Sequence, residues 1–170
     1  MSNSNEAQRV CVALAAEVNE GLWRSSAYTV LFNQAVAERL GINATDLRCF
    51  DLISRLGPLT AGQLAELTAL TSGAITGVLD RLEAAGLAER NADRHDRRRV
   101  IVSVAEGAGV TVGPLFGSVA QAMDELCARY SPDELAVILD FVNQLEPVMR
   151  RETAKMRAGS ASAGQPGAEP

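Results

Sequence analysis

The chain has 170 residues, of which 47% are hydrophobic and 4% aromatic, and its formal net charge is -5 with a pI near 4.9. This length allows one compact unit or two small ones, and the low aromatic content favours helices over a large sheet. No run of about 18 uncharged apolar residues predicts a membrane span, and residues 1–6 lack a basic run followed by an apolar core. We therefore expect a cytoplasmic protein with no membrane contact.

Two helices are predicted in the first third of the chain. The first spans residues 7–40, where apolar side chains recur at helical spacing. The second begins after Asn43, which can cap it together with Asp46 three residues later, and it ends at Gly57.

Two shorter helices follow, with a tight connection between them. Thr60 and Gln63 form a capping box, in which the threonine oxygen accepts a hydrogen bond from the backbone at Gln63 while the glutamine side chain reaches back. The helix that they open ends near Leu70, and Thr71 or Ser72 caps the next one. Such a pair is typical of a helix-turn-helix, whose second helix fits the major groove of DNA.

A β-hairpin with an arginine-rich turn comes next. Strands are predicted over residues 87–91 and 99–104, and residues 90–99 contain five arginines. Arginine is always charged, and its forked donors fit phosphate oxygens and base edges. Charged turns are often only solvated hairpins, and Asp93 and Asp96 partly neutralise this one. Its place beside the helix-turn-helix favours a wing that contacts DNA.

The acidic net charge does not exclude such a contact. Residues 41–106 hold eight arginines against nine acidic residues, whereas the remainder holds eight basic and twelve acidic residues. Exposed charges more than about 8 to 10 Å apart are largely screened at physiological salt, so a local arginine cluster can still attract phosphates. We expect weak non-specific affinity as a consequence.

The last third of the chain predicts two further helices. The first starts among glycines, so we expect poor initiation, mobile first turns and a bend at Pro114. Ser131 and Glu134 form a capping box for the last helix, which we expect to kink at Pro147. After Arg157 the composition becomes rich in alanine, glycine and serine, and we expect a disordered tail there.

Over roughly residues 7–157 the sequence resembles the MarR (multiple antibiotic resistance regulator) family of transcription factors. Three ordered segments carry the resemblance, namely residues 71–83, 86–90 and 93–98. In that family an aspartate of the wing orients an arginine that enters the minor groove. The resemblance assigns these roles to Asp96 and Arg98.

The predicted fold is mainly α with a small β wing, a winged helix-turn-helix flanked by dimerisation helices. The DNA-binding domain spans residues 42–106, the dimerisation helices lie in 1–41 and 107–157, and the disordered tail covers 158–170. The apolar sides of the flanking helices exceed what one small domain can cover. The resemblance implies a homodimer that binds an inverted-repeat operator on double-stranded DNA, acts as a repressor and is released by a small aromatic or anionic effector.

The expected DNA contacts fall into three groups. The recognition helix supplies Thr71, Ser72, Gly73, Ala74, Thr76, Gly77 and Arg81. The supporting helix supplies Thr60 and Gln63, and the wing supplies Arg90, Arg94, His95, Asp96, Arg97 and Arg98.

The recognition helix departs from the family at Gly77, where many relatives carry an arginine. Base readout would then depend on small and hydroxyl side chains, which discriminate less than a bidentate arginine, and specificity would rest more on DNA shape and the wing. The alternative for Ser72 and Thr76 is simple capping and surface polarity.

An effector pocket and a reactive thiol are harder to locate. Trp23, Tyr28 and Arg48 could line a pocket, although dimer core for the aromatic residues and a solvated position for Arg48 are favoured. Cys49 follows Arg48 in the early turns of its helix, which could lower its thiol pKa. Structural cysteines remain the favoured interpretation for Cys49 and for Cys11 and Cys127, of which Cys127 is expected to be buried.

Other classes of function receive less support. A winged-helix module that binds protein or scaffolds a dimer without DNA is one alternative, and a thiol-based redox regulator is another. We expect no cofactor and no metal site, because His95 is the chain's one histidine and no cysteine pair has metal-ligand spacing. An enzyme is not expected, since no phosphate-binding glycine loop or nucleophile elbow is present.

Overall fold

The computed structural model describes residues 2–92 and 100–162. It forms two compact units, Met1–Leu115 and Phe116–Pro170. The helices of the described parts are α1 (Ser2–Arg39), α2 (Ala44–Leu56), α3 (Ala61–Thr68), α4 (Ser72–Ala84), α5 (Ala108–Cys127) and α6 (Pro132–Ser162). The strands there are β1 (Leu59–Thr60), β2 (Ala88–Ala92) and β3 (Val100–Val104). The mainly helical fold with a small β wing is the one predicted.

The three strands form an antiparallel sheet in the order β1-β3-β2. Val102 pairs with Leu59 on one side and with Arg90 on the other, and it is 1% exposed. The sequence did not predict β1. Its two residues leave no room for the alternation of apolar and polar side chains by which strands are recognised.

Side chains of α2, α3, α4 and the sheet form the core of the first unit. Every turn of α4 contributes an apolar side chain to it, and the last turn of α1 packs against α2. Its fully buried members are Cys49, Ile53, Leu64, Ile75, Val78, Leu79, Leu82, Leu87 and Val102. This packing fixes which face of α4 points outward.

The predicted caps of α2, α3 and α4 are confirmed, whereas α1 begins at Ser2, earlier than predicted. Asn43 Oδ1 accepts hydrogen bonds from the backbone N–H groups of Thr45 and Asp46, both at 2.9 Å. Thr60 Oγ1 accepts one from the backbone of Gln63, whose side chain accepts one from Thr60 N. Of the two caps considered for α4, Thr71 is the one present.

Both helices of the helix-turn-helix are followed by a residue with a left-handed backbone conformation. α3 ends at Thr68, earlier than expected, because Ala69 adopts φ 55° and ψ 35°. Gly86 has φ +68° after α4, as predicted, and glycine tolerates this conformation without steric cost. The chain thereby turns from α4 directly into the sheet.

Each of the two C-terminal helices continues past an internal proline. α5 starts at Ala108 and is continuous through Pro114, and α6 begins with the predicted capping box of Ser131 and Glu134. α6 runs through Pro147 to Ser162. The helix thus continues past Arg157, where the tail was expected to begin. Residues 163–170 lie outside the described part of the chain.

Large apolar side chains are exposed along α1 and along α6. Those of α1 include Val10, Leu14, Val18, Trp23, Tyr28 and Leu31, and those of α6 include Val137, Leu139, Phe141, Val142 and Met149. In the described residues no helix combines the length and the apolar character that crossing a membrane requires.

Candidate nucleic-acid interface

The outward face of α4 is made of small and hydroxyl-bearing residues. Ser72, Gly73, Ala74 and Thr76 are exposed, and Gly77 is partly exposed, whereas the opposite face is buried in the core. Small side chains allow a helix backbone to come close to base edges. This face includes the residues that the sequence predicted for base contacts.

The hydroxyl groups of this region are partly used within the protein. Thr71 Oγ1 accepts a hydrogen bond from Ala74 N at 3.3 Å, and Thr76 Oγ1 donates one to the backbone oxygen of Ser72 at 3.0 Å. Thr60 and Gln63 are occupied by their own capping box at the start of α3. Capping therefore accounts for Thr71 and Thr60, while Ser72 and Thr76 remain exposed on the outward face.

Arg81 is joined to α2 by a two-point ion pair. Its Nε lies 2.9 Å from Asp46 Oδ2 and its Nη2 lies 2.8 Å from Asp46 Oδ1. The Asp46 side chain is fully buried, whereas that of Arg81 is 50% exposed. The hydrogen bonds with Asp46 raise the pKa of the Arg81 guanidinium above its ordinary value. Asp46 Oδ2 also accepts from Asn43 N, so one carboxylate caps α2 and holds α4.

Arg90 is the second arginine of the interface that is held by carboxylates. Its guanidinium contacts Glu83 through Nη1 and lies 2.7 Å from Asp80 Oδ1 through Nη2. Nη2 also donates to the backbone oxygen of Thr76 at 3.3 Å, and Glu83 accepts from Arg90 N. These bonds attach the base of the hairpin to α4. Arg90, expected to contact DNA, thus has a structural role inside the protein.

The tip of the wing lies outside the described residues. The predictions for Arg94, His95, Asp96, Arg97 and Arg98 all fall there. The hairpin base is described on both sides of it, with Ala92 of β2 paired with Val100 of β3.

A shallow groove of about 560 Å³ lies between the start of α2 and the outward face of α4. Asn43 and Thr45 line one side of it, and Gly73, Gly77 and Arg81 line the other. A β-carbon at Gly77 would lie 3.3 Å from Arg81 Nη1. The guanidinium therefore occupies the space over this glycine.

The residues expected to line an effector pocket do not enclose one in the single chain. Trp23 and Tyr28 are 77% and 70% exposed on α1, and Arg48 is exposed on α2. The groove beside α4 contains none of them.

The environments of Cys49 and Cys127 differ from one another, and that of Cys127 corrects the prediction. Cys49 is fully buried, and desolvation raises the pKa of its thiol, which outweighs the opposite effect of Arg48. A raised pKa disfavours the reactive thiolate, which favours the structural interpretation of Cys49 over the redox one. Cys127 is exposed in the described chain rather than buried. Among residues 2–92 and 100–162, no three acidic, cysteine or histidine side chains are grouped to hold a metal ion.

Three acidic residues of the site were not singled out by the sequence. Asp46 was recognised only as part of a helix cap, and Asp80 and Glu83 only as part of a family motif. Each pairs with an arginine of another helix or strand, so the pattern within its own helix does not predict the contact.

Comparison with known proteins agrees with this geometry. The model of the MarR family matches residues 40–99. The HTH-type transcriptional regulator YcgE of Bacillus subtilis is 37% identical over 129 residues, which cover 76% of this chain and 84% of that protein. MhqR of the same organism, also an HTH-type transcriptional regulator, is 27% identical over 105 residues, 62% of this chain and 72% of that protein.

Solved structures show the same fold. A MarR family protein from Bacillus stearothermophilus superposes with a TM-score of 0.63 at 20% identity, covering 80% of this chain and 95% of that one. FabT of Streptococcus pneumoniae, solved in complex with DNA, superposes with a TM-score of 0.61 at 21% identity, covering 81% of this chain and 98% of that one. The winged helix-turn-helix, the family match and the similarity to YcgE together show that the chain belongs to the MarR family of HTH-type transcriptional regulators.

Proposed function

We propose that the protein is a sequence-specific regulator that places α4 in the major groove of DNA and the hairpin turn in the adjacent minor groove. The observation that carries this proposal is the outward face of α4, which is small, exposed and attached to the hairpin base through Arg90. The groove is about 12 Å wide and admits a helix whose outer side chains are short. FabT, which shares the fold, was solved in complex with DNA, and this supports DNA as the partner.

The distribution of charge is compatible with binding to phosphates. Asp80 and Glu83 would repel a phosphate backbone, but both are paired with Arg90. Arg90 offsets part of this negative charge, and residues 93–99 contain four further arginines and two aspartates. Because screening limits the reach of the remote acidic residues, the local cluster decides the sign of the interaction.

We further propose that the protein binds its operator as a homodimer. The apolar side chains exposed along α1 and along α6 are more than an isolated chain in water would leave uncovered. A second copy with the same surface would cover them, and two-fold symmetry would match an inverted repeat with half-sites about 34 Å apart.

Repression and release by an effector complete the proposal. A dimer bound over a promoter blocks transcription, and a ligand that favours a different separation of the recognition helices would release it. Trp23 and Tyr28 are exposed in one chain, so a pocket that uses them requires a second copy to close it. Titration of the protein–operator complex with a panel of aromatic carboxylates, benzoate among them, tests for release.

The decisive experiment is recovery of the genomic fragments that the full-length protein retains. We expect an inverted repeat in these fragments, bound by two copies of the chain as measured by analytical ultracentrifugation, with affinity that falls steeply as salt rises. Retained fragments with no dyad contradict the dimer mechanism. Undetectable or salt-insensitive binding to all DNA contradicts the regulator proposal itself and favours a protein-binding module.

A further inference from the structure

Arg81 presents one edge of its guanidinium to Asp46 and leaves another edge available. The group carries five N–H donors in a rigid, planar arrangement. Nε and one hydrogen of Nη2 bind the Asp46 carboxylate side-on. Among the described residues Nη1 has no hydrogen-bond partner, so the end formed by Nη1 and the outer hydrogen of Nη2 stays available for a second pair of acceptors.

The available edge lies on the side of α4 that faces outward. Side chains on a helix lean toward its N-terminus, so Arg81 covers the preceding turn, where Gly77 stands. The distance of 3.3 Å between Nη1 and an added β-carbon at Gly77 locates the edge over this residue. A larger side chain at position 77 would displace it. Gly77 leaves space for the guanidinium and Asp46 binds it, so both residues determine its position.

We propose that Arg81 reads a guanine of each operator half-site through this edge, an inference that rests on the proposed function of α4. Guanine presents O6 and N7 in the major groove as a pair of acceptors, and an arginine edge binds both at once. Asp46 fixes the plane of the guanidinium before DNA arrives, which lowers the entropy that the contact costs. Because the ion pair of Arg81 with Asp46 is nearly neutral, Arg81 contributes more to base specificity than to the electrostatic attraction for phosphates.

The test measures base preference rather than affinity alone. The full-length protein is first used to select binding sites from a randomised duplex library. Affinities are then measured for the selected duplex and for duplexes with each guanine of the half-site replaced in turn. The wild type, R81K and G77A are compared. R81K keeps the charge beside Asp46 but lacks the two-donor edge, and G77A keeps both Arg81 and its ion pair.

In R81K, we expect the preference for guanine over the other bases at one position of each half-site to fall about ten-fold. In G77A, we expect a smaller fall at the same position. The melting temperature of G77A should stay at or above that of the wild type, because alanine favours a helix more than glycine does. G77A also decides the question should R81K fail to fold. The control R55K changes an exposed arginine of α2 and should alter neither preference nor affinity.

Three other results would overturn the inference. Equal weakening on every sequence, with a shallower dependence on salt, identifies a phosphate contact. Unchanged preference in both variants leaves Arg81 as a brace between α2 and α4. A wild-type selection that yields no preferred site refutes the regulator proposal first, and the inference with it, whereas a clear wild-type motif with unaffected variants refutes the inference alone.

Discussion

Arg90 at the base of the hairpin and Asp80 on the outward side of α4 form an ion pair with 2.7 Å between Nη2 and Oδ1. The same guanidinium binds Glu83, so one cation offsets part of the negative charge of two carboxylates beside the surface that we propose faces DNA. This arrangement reduces the repulsion between α4 and a polyanion. It also links the orientation of the wing to that of the recognition helix.

Replacement of Arg90 by alanine should lower both stability and DNA affinity. The Arg90 side chain is 29% exposed, and its loss leaves the partly buried Glu83 without its cation and with only the hydrogen bond from the backbone N–H of residue 90. We therefore expect the free energy of unfolding to fall by about 1 to 3 kcal/mol. Chemical denaturation measures the loss. The matched control is Arg55→Ala, whose i,i+4 pair with Asp51 is largely exposed and should change stability by no more than about 0.5 kcal/mol. Equal effects for the two variants would contradict the assigned role.

The pair of Asp46 and Arg81 should respond asymmetrically to mutation. Arg81→Ala leaves a fully buried carboxylate without its cation, which costs about 3 to 5 kcal/mol. Asp46→Asn leaves an arginine that is 50% exposed and can be hydrated, so the loss should be smaller. Unfolding in urea compares the two variants. A larger loss of unfolding free energy for Asp46→Asn would show that Asp46 stabilises the protein mainly through the cap with Asn43 and not through the ion pair.

Arg98→Ala tests the wing, whose tip lies outside the described residues. We expect binding to the operator to weaken and the slope of log affinity against log salt to become shallower by about one. Arg150→Ala is the control, because Arg150 is an exposed arginine of α6 paired with Glu146. Fluorescence anisotropy over a series of salt concentrations gives both slopes. An unchanged slope for Arg98→Ala would remove the minor-groove contact from the mechanism.

The Cys49 thiol should be inert in the folded protein. Its pKa lies above the ordinary value of 9.0 because burial disfavours the thiolate, so alkylation by iodoacetamide at pH 8 should be much slower in the native state than in urea. Peptide mass spectrometry separates Cys49 from Cys11 and Cys127, which are exposed in the chain. Rapid native labelling of Cys49 would restore the redox hypothesis.

The start of α6 should make a small, pH-dependent contribution to stability. Hydrogen bonds from Ser131 N and Oγ hold the pKa of Glu134 below its ordinary value of 4.5. The stabilisation is present above the pKa of the unfolded chain and is lost as the pH falls through the lower, folded value. Glu134→Gln should flatten the acid limb of a melting-temperature profile. A profile that stays parallel to that of the wild type would contradict this assignment.

Local features of the fold were predictable because each is decided within a few residues. The capping boxes at Asn43, Thr60 and Ser131 need only a hydroxyl or amide and an acidic or amide side chain three positions later. Gly86 was predictable for the same reason, since the left-handed residue that ends a helix favours glycine at one position. These starts and stops, together with apolar periodicity, gave the helices that build the winged helix-turn-helix.

Contacts between elements were not predictable in the same way. Asp46 and Arg81 are 35 positions apart, and no sequence pattern predicts their contact. The continuity of α5 through Pro114 shows that a helix can tolerate one missing hydrogen bond when the rest of its length is favourable. Local rules therefore predicted the helix whose outward face we propose contacts DNA, but not the ion pairs that orient it.

Thr60 belongs to two elements at once, since it pairs with Ile101 of β3 and caps α3. The sheet and the first helix of the helix-turn-helix consequently share a residue, while Arg90 joins the hairpin to α4. Flexing at the hairpin base would break several bonds together. We therefore expect α4 and the hairpin to move as one unit. An operator with altered geometry would be accommodated by bending of the duplex or by movement of the whole winged helix-turn-helix.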